Sequence, residues 1–377
     1  MMNVISVGQN EAILESFLAL PYELYHAQPC WTPRPVDETV RLLDPSRSPF
    51  WRQAERELFV ALDGGQVVGR IIAADDPIFV REHGTQTGFF GFFECIDDPS
   101  VAKALLEAAA HWLRQRGRHH MRGPFNPVPD AENFGLLIDG CDHPQAFGEP
   151  YNPPFYQFLL ETHGLTKLVD YLSFRHALLR EDNPKGSELR YRLERRLSLS
   201  RDLSVRTFDP AHLDRDIMIM KEIMNTCYAA DLVYSRASSE VEKFILNSFE
   251  TLEDWSLSFI VEVRGEPAGI WVTTPDYNEA YRAMTHSSIK ALTAADTEKI
   301  RGGCVPEFAV LPKFRRSKAA VALVLAYWEA TLKRGFDHNI ICYVREDNHD
   351  SIAMAEGFGA VRMKRFRLYE TSLTDSY

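Results

Sequence analysis

The pattern of apolar and polar positions along this chain passes through one order of elements twice. Apolar runs bounded by Gly, Pro, Asn or Asp indicate strands, and apolar residues spaced three and four apart indicate helices. The first half predicts a strand at 3–7, a helix at 10–20, a hairpin at 58–73, an aromatic strand at 88–96, a helix from Asp98 to Gly117, and strands at 119–125 and 168–178. The order begins again with a strand at 204–209.

The second half repeats this order, although few residues are identical between the halves. It predicts helices at about 211–228 and 237–251, a hairpin at 258–273, an insertion at 275–303, a strand at 308–311, a helix at 320–334, and strands at 338–344 and 360–370. Residues 181–203 are charged and have no strong apolar stripe. The sequence therefore predicts two α/β domains with mixed sheets, at 1–180 and 204–377, joined by a linker at 181–203.

A basic turn follows the strand predicted at 308–311. Residues 313–318 carry four cations immediately before the helix that begins at Ala320. Free N–H groups and the positive end of the helix dipole favour an anion at such a place. The alternative is a solvated helix start, because charge runs are often only that. A strand, an anion-binding turn and a helix in this order suit a donor that carries a diphosphate.

This stretch resembles the acyl-CoA-binding core of the GNAT acyltransferases. Pro312, Arg315, Ala320 and Asn348 fall on the family's pattern of strand, Pro-x-x-Arg-x-x-Gly-x-Gly/Ala, helix, strand and Asn. The resemblance implies that an acyl-CoA or acyl-phosphopantetheine donor is held by Phe308, Val310, Leu311, Arg315, Arg316, Ser317, Lys318, Ala319 and Ala320. The chain departs from the family at Lys318, where a glycine is usual, and at Ala355, where a general-acid tyrosine is common.

Further strings resemble a bacterial double-GNAT family called YghO-like. They lie at 89–98, 122–127, 135–140, 151–156, 275–278, 346–348 and 363–370. Relatives act as bacterial ceramide synthases, which implies a long-chain acyl donor, a lipid amine and peripheral contact with a membrane. The chain departs from this family at 128–132, where a serine-containing stretch is expected, and at Gly148-Glu149, where two methionines are expected. These departures predict a substrate that differs from the substrate of the family.

Glu307 is the candidate general base, at the start of the strand predicted at 308–311. GNAT enzymes often place a glutamate there, and burial beside Val305 and Phe308 would raise the pKa of its carboxyl. The alternative is an exposed glutamate at a strand end. The resemblance also assigns Asn348 to the catalytic set. Backbone N–H groups of a splayed strand would stabilise the oxyanion that forms during acyl transfer.

The first half is predicted to bind the acceptor rather than the donor. Its helix at 98–117 begins with Asp97 and Asp98, and an acidic helix start repels phosphate. Glu94 takes the place that corresponds to Glu307, and Asn126, Tyr151 and Asn152 lie in loops shared with the family. These four residues are the predicted substrate-binding set. Turn chemistry alone also accounts for the asparagines.

Composition limits the remaining function classes. The chain has 377 residues and a net charge of −11, which argues against a DNA-binding surface over most of the protein. Its six cysteines are scattered without a Cys-x-x-Cys pair, so we expect reduced thiols and no metal site. It has no run of 18 apolar residues and no basic-then-apolar N-terminus. These features predict a cytoplasmic protein.

The sequence favours an N-acyltransferase that moves an acyl group from acyl-CoA, or from an acyl carrier protein, to a small-molecule amine. Two alternatives stay open. One is a GNAT-like transferase that uses aminoacyl-tRNA, for which the turn at 313–318 would grip the acceptor stem. The other is a catalytically silent binding protein, which Lys318 and Ala355 suggest.

Overall fold

The computed structural model of the protein describes residues 2–126, 134–178, 184–197, 202–236, 240–241, 255–284 and 289–374. The first half contains short 3₁₀ helix Pro49–Arg52 and, in chain order, β1 Asn3–Ser6, α1 Glu11–Tyr25, α2 Val36–Leu43, β2 Glu55–Asp63, β3 Gln66–Asp75, α3 Pro77–His83, β4 Thr87–Cys95, α4 Pro99–Arg114, β5 His120–Gly123, β6 Leu136–Asp139, α5 Phe155–Thr162 and β7 Thr166–Ala177. The hairpin β2–β3, the aromatic strand β4 and the helix α4 confirm the predicted elements.

The second half repeats this arrangement. After the connecting helix α6 Pro184–Leu197 come β8 Leu203–Thr207, α7 Leu213–Cys227, β9 Phe259–Val263, β10 Glu266–Pro275, α8 Tyr277–Arg282, α9 Ala294–Thr297, β11 Gly302–Val310, α10 Ala319–Arg334, β12 His338–Arg345, α11 His349–Gly357 and β13 Val361–Ser372, with 3₁₀ turns at Pro210–His212, Trp255–Leu257 and Pro312–Phe314. The helix predicted at 237–251 lies almost wholly outside the described residues.

The described strands form one continuous mixed sheet that joins the two halves. Its order is β1-β2-β3-β4-β5-β13-β7-β12-β11-β10-β9-β8, with β6 beside β13. The last strands are therefore exchanged: β13, the end of the second half, pairs with β5 of the first, and β7 pairs with β12. Each half obtains a sheet neighbour from the other. The division of the chain at 181–203 stays a prediction.

The segment predicted as a linker contains a packed helix. In α6, Leu189 and Leu193 are buried and belong to the same apolar core as Leu323 and Trp328 of α10. Two apolar residues, four positions apart, are sufficient to dock one helix face. The expectation of a segment without an apolar stripe was wrong for residues 184–197.

The helices α4 and α10, which follow β4 and β11, have the predicted buried faces. In α4 the buried set is Val101, Ala102, Leu105, Leu106, Ala109, Ala110, Trp112 and Leu113. In α10 it is Ala319, Ala322, Leu323, Val324, Tyr327, Trp328 and Thr331.

The strand β11 is longer than predicted. It begins at Gly302 and passes through Pro306 rather than starting at Phe308. Proline is tolerated there because the strand has a bulge beside it.

Candidate active site

Strands β11 and β12 part in the middle of the second half. They pair in parallel from Gly302–His338 to Val305–Ile341, and the pairing stops there. Beyond that point, β11 pairs with β10 alone among the described strands, and the register of this pairing shifts between Glu307 and Cys304. A bulge bends a strand and ends its pairing on one side. The sheet therefore opens along Pro306–Val310, where the sequence predicted a splayed strand.

Glu307 lies on β11 at the start of this opening. Its side chain is half-buried, and burial raises the pKa of its carboxyl to about 7. A hydrogen bond with Tyr228 partly opposes this rise, and the negative charge of Asp231 adds to it. A carboxyl group with a pKa near 7 is suited to general-base catalysis at neutral pH. The predicted environment of Glu307 is present, and its catalytic role stays a prediction.

Tyr228 and Asp231 follow α7 and were not found from the sequence. The Tyr228 hydroxyl donates to the Phe308 carbonyl oxygen at 3.2 Å, and the Asp231 N–H donates to the Tyr228 carbonyl oxygen at 2.8 Å. Both residues come from a segment with no recognisable motif. The sequence signal for them was weak, because polar residues directly after an amphipathic helix are common.

The strand residues predicted to hold the donor divide between the two faces of β11. The ring of Phe308 lies 5.0 Å from that of Trp271, and Val310 is buried against α10. Leu311 packs on the opposite face, in the core that contains α7. Alternation of side chains along a strand accounts for this split. Contact of these residues with a donor stays a prediction.

The basic turn contains two kinds of cation. Lys313 forms an ion pair with Glu266, whereas Lys318 extends to α6, where its Nζ lies 2.8 Å from the Arg196 carbonyl oxygen. Arg315 and Arg316 are exposed, and neither forms an ion pair within the described part of the chain. These two arginines are the cations that remain available for a phosphate group.

Lys318 has the backbone conformation of the glycine that it replaces. Its φ is 68° and its ψ is 14°, in the left-handed region that glycine adopts without a steric penalty. Ser317 completes the turn: its hydroxyl donates to the Phe314 carbonyl oxygen at 2.7 Å and accepts from Ala319 N–H at 3.3 Å. The first N–H groups of α10, including that of Ala320, have no acceptor within the helix. The shape of the turn is therefore kept despite the missing glycine.

Asn348 has a structural role that the sequence did not assign. It is exposed and caps α11, its side-chain oxygen accepting from Ser351 N–H at 3.2 Å. Asparagine is a favoured residue at this position of a helix. Ala355 is buried on the same helix. Because it is an alanine, it offers no hydroxyl at the position where the family often has a tyrosine. Catalysis by Asn348 stays a prediction.

In the first half the corresponding opening is filled. Pairing of β4 with β5 ends at Phe89–Arg122, but the Phe125 N–H donates to the Phe90 carbonyl oxygen at 2.8 Å. Asn126 is buried, and its side-chain oxygen accepts from Phe92 N–H at 2.8 Å. A protein side chain thus occupies the backbone N–H that a donor would use. This hydrogen bond holds Asn126 against β4.

Glu94 is not the structural counterpart of Glu307. Gly69 faces Cys95, and the equivalent Gly269 of the second hairpin faces Val310, so Glu94 corresponds to Ala309. The bulge in each strand shifts the spacing, which is why counting along the sequence failed. Glu94 is held in a buried network by the hydroxyls of Tyr25 and Tyr156, the latter at 2.9 Å, and lies 3.8 Å from Arg70.

Tyr151 and Asn152 have partners within the first half. Asn152 is buried and exchanges hydrogen bonds with the Leu137 backbone, at 2.8 and 3.0 Å. The Tyr151 hydroxyl donates to the Gln28 side chain at 3.1 Å. These contacts satisfy both side chains. Acceptor binding by Tyr151 and Asn152 stays a prediction.

Comparison with known proteins agrees with this geometry. The model of the acetyltransferase (GNAT) family matches residues 219–360, which contain the C-terminal part of α7, Glu307, the basic turn and α11. The chain is 28% identical to a bacterial ceramide synthase of Caulobacter vibrioides over 99% of its own length and 98% of that protein. It is 27% identical to YghO of Escherichia coli over 97% and 94% of the two chains. The second half of the chain therefore resembles the GNAT family, and the likeness to the two relatives runs along nearly the whole chain.

Solved structures share the fold of the whole chain. A tandem GNAT protein from the clavulanic acid biosynthesis pathway superposes with a TM-score of 0.59 and 15% identity, over all of both chains. A GCN5-related N-acetyltransferase from Sphaerobacter thermophilus gives a TM-score of 0.53 and 11% identity, over 100% of this chain and 97% of the other. At these identities the likeness shows the fold.

The family that matches residues 219–360 is an acetyltransferase family, and the whole chain has the fold of a tandem GNAT protein. Among the described residues, no cluster of three or more His, Cys, Asp or Glu side chains is arranged to hold a metal ion. Within the same residues, every helix is too short or too polar to cross a membrane. All six cysteines, which lie in described segments, are free thiols.

Proposed function

We propose that this protein is an N-acyltransferase that moves an acyl group from a thioester donor to a primary amine. One observation carries the proposal: the sheet opens between β11 and β12 directly beside Glu307, whose carboxyl has a pKa of about 7. A thioester in this opening would lie next to a group able to accept a proton at neutral pH.

The donor would be held by the second half alone. The diphosphate of an acyl-CoA, or the single phosphate of a carrier protein's arm, would meet Arg315 and Arg316, which have no ion-pair partner within the described residues, and the first turn of α10. The acyl-bearing arm would then follow the free edge of β11 at Phe308–Val310. The described part of the first half has neither feature, because Asn126 fills the opening there and Asp98 caps the helix α4. The donor is an acyl-CoA or the acylated arm of a carrier protein.

The acceptor would reach Glu307 from the face of the sheet that carries α7. Tyr228 and Asp231 lie on this face, opposite α10. Glu307 takes one proton from the ammonium form of the acceptor, and the neutral amine attacks the thioester carbonyl. The C–N bond forms and the C–S bond breaks. The second proton leaves the nitrogen with the departing thiolate, and Glu307 returns its proton to solvent.

The name of the Caulobacter relative supports a lipid amine as the acceptor. That relative is 28% identical, and the chain covers 98% of its length, so the same arrangement of two halves is expected in both proteins. We propose a division of labour in which residues 204–377 bind the donor and residues 1–180 shape the acceptor side.

Thiol release tests this proposal. Purified protein is mixed with palmitoyl-CoA, or with a palmitoylated carrier protein, and with a panel of primary amines. We expect amine-dependent release of free thiol and an amide product of matching mass. Thiol release without amide would indicate hydrolysis only and contradict the proposal, as would the absence of thiol release with every donor and amine. Transfer from aminoacyl-tRNA alone would favour the alternative that the basic turn binds an acceptor stem.

A further inference from the structure

A second carboxyl group lies beside Glu307 where the strands part. Asp231 follows α7 in a tight turn whose N–H donates to the Tyr228 carbonyl oxygen at 2.8 Å. Tyr228 contacts β11 through the Phe308 carbonyl oxygen. On the other side, Oδ2 of Asp231 lies 4.0 Å from Nη1 of Arg345 in β12. Asp231 therefore bridges the gap between the two strands.

Among the described residues, no close ion pair neutralises the charge of Asp231. Arg345 is engaged by Asp347 through two hydrogen bonds of 2.7 and 2.6 Å, and its 4.0 Å separation from Asp231 is too long for a hydrogen bond. The Val233 N–H donates to Oδ1 of Asp231 at 3.1 Å, which fixes the carboxylate in place. Asp231 is thus an oriented carboxylate that can still receive a cation.

Tyr171 supplies an independent indication of a ligand. It lies on β7 opposite Arg345, and its side chain is 3% exposed. Its hydroxyl has no hydrogen-bond partner among the residues that the structure describes. Tyr171 packs in the same apolar cluster as Leu232 and Val233, the two residues that follow Asp231. Burial, and then the negative charge of Asp231, raise the pKa of its hydroxyl. A buried hydroxyl that is left unpaired is costly unless a ligand completes it.

The first half holds the loop that carries Asp231. The Ser235 hydroxyl donates to Asp76 at 2.8 Å, and His83 lies 2.7 Å from the Tyr234 carbonyl oxygen. Arg122 donates to the Leu232 carbonyl oxygen. The position of Asp231 relative to Glu307 therefore depends on contacts that only a two-domain protein can make.

We infer that Glu307, Asp231 and Tyr171 form the acceptor subsite, and that it binds a primary amine as its ammonium ion. This inference rests on the proposed function. An ammonium group has three N–H donors and no acceptor, and the subsite offers three acceptor groups, which are two carboxylates and one hydroxyl. Asp231 holds the nitrogen while Glu307 takes its proton. A methyl group on the nitrogen would leave one acceptor unpaired.

Replacement of Asp231 has two separable effects. The titratable and charged groups that face it are Arg345, His83, Glu307, Tyr171 and Tyr228. Its negative charge adds to the burial that raises the pKa of Glu307. Asp231→Asn should therefore weaken amine binding and also move the acid limb of the rate profile to lower pH. A merely structural role for Asp231 would not produce the second effect.

The test measures binding of dodecylamine and N-methyldodecylamine by calorimetry, and donor affinity with palmitoyl-CoA, for the full-length protein. We expect Asp231→Asn to weaken dodecylamine binding about tenfold or more, with donor affinity unchanged. Tyr171→Phe should weaken it roughly three- to tenfold without lowering the thermal midpoint, because it removes an unpaired hydroxyl. Wild type should prefer the primary amine, and Tyr171→Phe should reduce that preference. Asp37→Asn, at an exposed carboxylate paired with Arg47, is the control.

Unchanged dodecylamine affinity in both variants would overturn the subsite, and so would wild-type protein that binds no amine. If Asp231→Asn lowered the amine affinity, the donor affinity and the thermal midpoint together, Asp231 would only support the loop. Intact amine binding that depends on Asp231 and Tyr171, but without thiol release, would support the subsite and contradict the transfer reaction. The two proposals can therefore fail separately.

Discussion

The Nζ of Lys318 lies 2.8 Å from the carbonyl oxygen of Arg196. This contact joins the turn before α10 to the last residues of α6. A lysine at the C-terminal end of a helix is favourable because it meets unpaired carbonyl groups and the negative end of the helix dipole. The helix that connects the halves therefore supports the turn that is proposed to hold the donor phosphates.

Lys318→Gly should leave the turn intact. The substitution removes the penalty of a left-handed lysine, about 1–2 kcal/mol, and loses the contact with α6, about 0.3–1 kcal/mol. The free energy of unfolding should therefore change by roughly 1 kcal/mol or less, and acyl-CoA affinity should be kept. Lys318→Val should destabilise the protein and weaken donor binding, because a β-branched residue is poorly tolerated at φ 68°. Urea denaturation and donor titration measure both; equal behaviour of the two variants would contradict the argument.

Arg315→Ala combined with Arg316→Ala should weaken acyl-CoA binding about tenfold or more, because two charge-assisted contacts are lost. Stability should not change, since both side chains are exposed and without an ion pair within the described residues. Lys333→Ala, at the opposite end of α10, is the matched control for a lost exposed cation. Donor titration at two salt concentrations makes the measurement. Unaltered affinity of the double variant would refute the role of the turn.

Glu307→Gln should lower turnover about 10²–10⁴-fold at neutral pH, because glutamine cannot accept the proton. In wild type, the rate should rise with pH through about 7 as the carboxyl ionises. The same raised pKa means that the folded state disfavours the charged form of Glu307. The Glu307 carboxyl therefore contributes stability that is fully present below its pKa in the unfolded chain and is lost as the pH rises through about 7. Glu307→Gln should therefore be more stable than wild type at pH 8. A rate profile without a limb near pH 7 would exclude Glu307 as the base.

Lys364 and Glu149 form a buried ion pair between β13 and the first half, 2.7 Å apart, with side chains 1% and 0% exposed. The Lys364 ammonium also donates to the Pro144 carbonyl oxygen at 2.7 Å. Lys364→Met should cost about 3–5 kcal/mol, because Glu149 is left as an uncompensated buried charge. Adding Glu149→Met should recover much of that loss. Urea denaturation of the single and double variants measures the coupling; additive losses would show that the pair is not coupled.

The sequence determined the elements whose signals are local. The spacing of Val101, Leu105, Trp112 and Leu113 predicted α4, and the glycine-containing turns predicted both hairpins. The turn before α10 was also predicted, because its cations and helix start lie within a few residues of each other. Glu307 was proposed from its place on a strand together with the resemblance to GNAT enzymes. Burial raises the pKa of its carboxyl as expected, and its catalytic role stays a prediction.

Only the tertiary structure decided how distant segments meet. The pairing of β13 with β5 joins Tyr369 to Gly123, and no local pattern specifies which edge a strand will choose. The packing of Leu189 and Leu193 needed the facing surface of α10. The position of Asp231 depends on contacts with α3 and β5 of the first half, and bulges in β4 and β11 displaced Glu94 from the place that sequence spacing suggested. Local propensity fixes the backbone of each element, whereas register, exchange of strands and assembly of the site depend on side chains that are far apart in the chain.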